Sequence, residues 1–193
     1  MILDTILLKV GVFLLSKLYS AAIFGVEAFT VGVEVDVRSG MPSFNIVGLP
    51  DTAVQESRER VRAAIRNSEF EFPMQRITVN LAPADIKKEG PIFDLPIALG
   101  ILAASEQVRP ELLNKYLIMG ELSLDGSIKP VNGVLSIALM AKKIGKKKLL
   151  IPKTNAKEAG IIKELKAFPV NSLCEVIEFL NKKISIEPVS IDL

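Results

Sequence analysis

Arg58, Arg62 and Arg66 stand four residues apart, in and just after the stretch FNIVGLPDTAVQESRERVRAAI that runs from Phe44 to Ile65. On a helix, that spacing sets three guanidinium groups in one row. Like charges so spaced oppose a helix by about 0.2–0.5 kcal/mol a pair, so the row makes chemical sense if it meets an anion. Glu59 can relieve Arg62, and Glu56 can pair with Arg60. Lys142, Lys143, Lys146, Lys147 and Lys148 form a second cationic group. It falls near an expected helix C-terminus, where positive charge suits the helix dipole with or without a ligand. These side chains are the candidate anion or nucleic-acid contacts. Solvated surface is the default account of both groups, because aromatic residues make up only 6% of the chain and few look exposed for base stacking.

Other chemistries find little support. The chain has no histidine, which removes the usual general base, the Ser-His-Asp triad and the commonest zinc ligand. Cys174 is the single cysteine. It excludes an internal disulfide, suits a reducing compartment, and is expected to be a buried structural thiol rather than a nucleophile. Asp85, Glu89 and Asp94 surround a Pro/Gly-rich loop and could gather a hard cation. Helix capping accounts for Asp94, and solvation beside Lys87 and Lys88 accounts for Glu89, so no metal site is expected. A Walker loop is missing too. Gly120 and Gly126 have five residues between them and Ser127 follows where lysine is required, while Gly145-Lys146 continues with Lys147. No GxGxxG occurs, and a net charge of +2 is too small to imply nucleic acid by itself.

The elements that must position these residues follow from patterning. Hydrophobic residues form 49% and charged residues 24% of 193, the composition of a globular chain. Residues 1–16 are mostly apolar but carry Asp4 and Lys9. They are too short for a span of about 20 residues and lack the positive start of a signal peptide. They are expected to be an extension that adds nothing to the fold. Strands are expected at Leu18–Phe24 and Val26–Val37, the latter alternating Val31, Val33, Val35 and Val37 with polar or small residues. Ser39 to Pro42 is expected to turn the chain into Phe44–Val47 as a hairpin. Asp51 or Thr52, with Gln55 in a capping box, starts a helix to Asn67 whose inner stripe is Val54, Ser57, Val61, Ala64 and Ile65. A strand at Arg76–Leu81 and the loop Pro83–Gly90 lead to Leu95–Ala104, apolar nearly all round and so a buried helix capped by Asp94. Further strands are expected at Tyr116–Leu122, Ile128–Val131, Lys148–Ile151 and Phe168–Val170. Further helices are expected from Asn132 to Ile144, Thr154 to Leu165 and Ser172 to Asn181. Residues 17–182 then form one mixed α+β or α/β domain with helices on one or both faces of a sheet, and 183–193 begin a linker.

Three segments carry a family resemblance: VGLPDTAVQESRERVRAAI, NLAPADIKKEGPIFDLPIALGILAA and MGELSLDGSIKPVNGVLSIALMA. From about Lys17 to Leu180 the chain resembles the N-terminal domain of the magnesium-chelatase-like AAA+ proteins of the ComM/YifB family. The resemblance implies ATP-driven ring assemblies, and for ComM work on branched DNA in recombination and transformation. It also implies an AAA+ module, in cis or as a split protein, that would hold ATP and magnesium. No such motif lies in this sequence, which is therefore expected to be non-catalytic and cytoplasmic, with DNA and ring-forming copies as possible partners and no membrane. The same segments are similar, more weakly, to the Lon protease domain and the C-terminal domain of RadA. That implies the ribosomal-protein-like superfold, a mixed sheet with crossover helices. A Lon-type Ser-Lys dyad would need a serine where Ile92 follows Gly90-Pro91, and a lysine at Leu135. Both are lost, and Ser136 with Lys129 is no natural replacement. A peptidase, or a chelatase subunit acting on a tetrapyrrole, is the alternative function.

Overall fold

The computed structural model describes residues 14–189. Strands β1 (Leu14–Phe24) and β2 (Glu27–Arg38) form an antiparallel hairpin from Leu14 opposite Val37 to Phe24 opposite Glu27. The expected alternation in β2 holds, with Val31, Val33, Val35 and Val37 buried. β1 starts earlier than its pattern suggested, because main-chain pairing to β2 continues past the last clear alternation. Leu14–Ser16, assigned to the extension, therefore run in the sheet; residues 1–13 lie outside the described residues.

β3 (Ser43–Val47) makes no hairpin with β2, contrary to expectation. Helix α1 (Thr52–Asn67) carries the chain to β4 (Arg76–Ala82), which inserts between them, antiparallel to β2 and parallel to β3. β4 can take the inner place because Ile77, Val79 and Leu81 bury one complete face. β3 is left at the edge, where α1 serves its outward carbonyls. Gln55 Nε2 donates to Ile46 O at 3.2 Å, and Arg58 Nη1 to Phe44 O at 3.5 Å.

A 3-10 turn (Pro91–Phe93) precedes α2 (Asp94–Ala104), and every residue of α2 is buried, as its unbroken apolarity predicts. It lies between α1 and the β1–β2 pair. At Gly100 a side chain would come within 2.6 Å of Val35 Cγ2, so only glycine allows so close an approach. After α3 (Pro110–Leu113) comes β5 (Leu117–Ile118). The strand expected to reach Leu122 breaks at Met119-Gly120. Gly120 N donates to Ile92 O and Gly120 O accepts from Leu95 N, both at 3.0 Å, tying the chain to the start of α2. β6 (Glu121–Leu122) and β7 (Ile128–Lys129) then form a small hairpin about the Leu124–Ser127 turn.

Helix α4 (Val134–Lys143) begins at Gly133, with φ +76°, rather than at an Asn132 cap. β8 (Lys148–Pro152) follows. The helix expected over Thr154–Leu165 is a 3-10 turn and the short α5 (Ala156–Gly160), because Leu165 must turn inward to start β9 (Lys166–Val170). α6 (Leu173–Leu180) is capped by Ser172, whose Oγ accepts from Glu175 N at 3.2 Å. It buries Leu173, Val176, Ile177 and Leu180, a phase that leaves Cys174 exposed; the expectation of a buried thiol is corrected. Past α6 the chain returns to the sheet, Val189 N donating to Ala167 O at 2.8 Å.

The main sheet runs β3-β4-β2-β1-β5-β8-β9, antiparallel at β4-β2-β1 and parallel elsewhere. α1 and α2 cover the face bearing Leu18, Val33, Val35, Ile77 and Val79. α4 packs on part of the other face, where Ile23 crowds Gly133 and Thr30 Oγ1 donates to Met140 Sδ at 3.5 Å. The rest of that face is wet, with Lys17 and Asn80 both reaching Glu34. Among the described residues no helix is long and apolar enough to cross a membrane.

Candidate functional site

The arginine row depends on where α1 starts. Asp51, not Thr52, caps the helix: its Oδ1 accepts from Val54 N at 2.8 Å, and its Oδ2 accepts from Gly90 N at 3.2 Å. The capping box does not form, since Gln55 reaches out to β3. Phased from Asp51, the helix buries Val54, Ser57, Val61, Ala64 and Ile65, the five stripe residues expected from sequence. Arg58, Arg62 and Arg66 fall on the flank above β3.

An aromatic base supports this row. Phe72 lies against Phe44 with ring centroids 5.8 Å apart, and the guanidinium carbons of Arg62 and Arg66 stand 5.5 and 5.7 Å from the Phe72 centroid. Arg62 also touches Glu59 at 3.4 Å, an exposed pair that neutralises it little. Arg58 donates Nε to Gln55 O at 2.9 Å, and Arg66 Nη2 lies 3.6 Å from Met74 Sδ. Among the described residues neither Arg58 nor Arg66 has a carboxylate partner. Arg76 begins β4 two residues beyond Met74 and is exposed, but it alternates with the buried Ile77 and so falls on the sheet face opposite α1.

Arg60, on the same helix, has the opposite fate. Its Nε meets Asp94 Oδ2 at 2.6 Å, and its Nη2 meets Asp94 Oδ1 at 3.1 Å and Ala53 O at 2.8 Å; Glu56 stands 3.7 Å away. Ser57 Oγ donates to Asp94 Oδ1 and Leu122 N to Asp94 Oδ2. Asp94 is thus wholly buried and joins α1, α2 and β6. Its hydrogen bond and charge hold the Arg60 guanidinium above its ordinary pKa, against the cost of burial. Asp94 is the first residue of α2 and its carboxylate is not the cap inferred from sequence. Nothing in the pattern marked the network, because Ser57 reads as a small stripe residue and Asp94 as a cap.

Asp85, Glu89 and Asp94 do not converge. Glu89 pairs with Lys87 at 2.8 Å in solvent, and no group of three or more ligating side chains occurs among the described residues. Lys88, unlike its neighbour Lys87, is buried. Its ammonium donates to Pro83 O, while its main chain bonds Leu49 O and Asp51 N, each at 3.0 Å. Burial holds its pKa below the usual lysine value, with the charge of Asp85 opposing.

The lysine group does not form a row. Lys142 pairs with Glu164 at 3.1 Å, Lys146 caps the Tyr19 ring at 4.3 Å, and Lys148 stands 5.7 Å from the Tyr116 centroid. Lys143 and Lys147 are exposed. Tyr19 points away from α2, so Lys146 lies on the face opposite the arginines. Of the residues at the dyad positions, Ile92 is buried in the 3-10 turn and Leu135 is partly exposed on α4. Ser136 and Lys129 make no hydrogen bond with each other among the described residues.

Comparison with known proteins agrees with this architecture. The model of the family described as subunit ChlI of Mg-chelatase matches residues 33–155. The competence protein ComM of Haemophilus influenzae is 46% identical over 167 residues, 86% of this chain and 33% of that protein. YifB of Escherichia coli is 44% identical over 173 residues, 90% of this chain and 34% of that protein. The chain thus spans about a third of the length of these relatives. A Lon protease of Metamycoplasma arthritidis is 25% identical over 170 residues, 81% of this chain and 20% of that protein, a weaker likeness that agrees with the mixed sheet and crossover helices. The chain belongs to the magnesium-chelatase ChlI-like family, with the ComM and YifB proteins as relatives.

Proposed function

We propose that this chain is a non-catalytic domain of a ComM/YifB-type AAA+ machine that processes DNA in the cytoplasm, and that it grips DNA by its phosphates through Arg58, Arg62 and Arg66. The observation that carries this is the division of labour on α1. The fold consumes Arg60 in a buried pair with Asp94, yet leaves three arginines in register on one flank, two of them without a carboxylate partner among the described residues. Phe72 orders Arg62 and Arg66, so less side-chain freedom is lost when an anion docks. Those guanidinium groups also cover the ring, which removes it as a base-stacking platform. The expected contact is therefore with the backbone and indifferent to sequence.

ATP and its magnesium belong, on this account, to an AAA+ module that assembles with other copies into a ring. The lone exposed Cys174 suits a reducing compartment. Neither a peptidase nor a tetrapyrrole-metallating role is favoured by any arrangement of side chains described above. The test is fluorescence anisotropy with labelled duplex and branched DNA. Replacing Arg58, Arg62 and Arg66 together by Gln should weaken binding at least about tenfold while the circular-dichroism melt is retained. Equal binding by the folded triple variant would contradict the proposal.

A further inference from the structure

The β1–β2 hairpin ends in Phe24-Gly25-Val26, and the fold makes no use of the two large side chains there. Phe24 is 74% and Val26 87% exposed. Main-chain pairing already fixes the hairpin out to Phe24 opposite Glu27, and Gly25 closes its turn at φ +63°. Beside the tip a groove of about 550 Å³ runs between β2 and α4, with Ala28, Thr30 and Met140 among its lining. Leu139 and Ile144 of the α4 wall are 52% and 48% exposed. A contiguous apolar surface of this kind marks an interface. Its rims differ in charge. Glu27 stands on the strand side and Lys143 on the helix side, and among the described residues neither has an ion-pair partner, although neighbouring Lys142 does.

We infer that this groove receives a second copy of this chain, docked about a two-fold axis so that each Val26 tip fills the other copy's groove and each Glu27 meets the partner's Lys143. Two features select this occupant. Knob and groove adjoin, Val26 belonging to both, so the patch faces one direction. Such a patch closes on itself by a two-fold axis, whereas a ring contact needs knob and socket on different sides of the molecule. The surface is also complementary to itself in charge, acid on one rim and base on the other, which disfavours both an anionic polymer and an anionic lipid surface. Pairing buries α4 on the face opposite α1 and leaves both arginine rows open.

Sedimentation velocity over a concentration series tests the assignment on the chain as it stands. A monomer–dimer equilibrium is expected, with Val26→Asp abolishing the dimer. Because the tip is exposed, the variant should keep its circular-dichroism melt. Glu27→Lys or Lys143→Glu alone should raise the dissociation constant about tenfold, since each swap turns two attractions into repulsions. The double variant Glu27→Lys/Lys143→Glu should return it close to the original value. A monomer at every concentration, a dimer indifferent to Val26→Asp, or a double variant no better than the singles would each overturn the inference.

Discussion

Asp94 and Lys88 are the charged side chains buried among the described residues, and the fold treats them differently. Asp94 receives Arg60, Ser57 and the Leu122 amide, so removing it strands a guanidinium beside unpaired donors. Asp94→Ala should cost about 3–5 kcal/mol, read as a lower urea midpoint. Adding Arg60→Met should recover part of that loss, because the orphaned charge is gone; strictly additive losses would contradict the coupling. Lys88 has a carbonyl but, among the described residues, no carboxylate at its ammonium, and burial depresses its pKa below the ordinary 10.5. In the window between the depressed value and 10.5 the unfolded chain holds a proton that the folded chain has released. Stability should therefore rise with pH across that window. Tyr116, whose phenol burial raises above 10.0, pulls the other way at the alkaline end. The comparison with Lys88→Met isolates the lysine: the variant should lose the rise, and an unchanged urea-midpoint profile would contradict it. Neither residue was legible as a buried charge. An aspartate before an apolar run reads as a cap, and a lysine in KKEG reads as solvent-exposed; what buries each includes a contact distant in sequence, Ser57 for Asp94 and the main chain of Leu49 and Asp51 for Lys88.

Among the elements, the β3–α1 turn does most to place the arginine row. Gly48 has φ +100°, and a side chain there would lie 2.1 Å from Leu81 O, a main-chain atom that cannot step aside. Gly48→Ala should therefore destabilise by about 1–3 kcal/mol, visible in thermal melts. It should also weaken DNA binding beyond the stability loss by shifting α1; a variant with wild-type melting would show that the turn has slack. The helical stripe of α1 and the buried character of α2 were legible because each depends on local periodicity. The edge position of β3 was not, because a crossover helix, and not the Ser39–Pro42 turn, chooses its partner strand. The exposure of Cys174 could have been read from the phase of Leu173, Val176, Ile177 and Leu180.

At the scale of the molecule, the sheet separates two surfaces. Arginines line one flank of α1, while α4 on the opposite face borders an apolar groove; of the lysine group, Lys142 is committed to Glu164, and Lys146 and Lys148 to aromatic rings. Patterning brought most of the strand-and-helix order within reach of sequence and the resemblance added the superfold, but neither could rank the two cationic groups; the ion pairs did. The most direct test of the account is the salt dependence of duplex binding. For the wild-type chain the logarithm of the association constant should fall linearly with the logarithm of salt concentration. For the Arg58→Gln/Arg62→Gln/Arg66→Gln variant the slope should be shallower by about three units, one for each phosphate contact removed. Identical slopes, or binding that salt leaves unchanged, would contradict the claim that this row grips DNA.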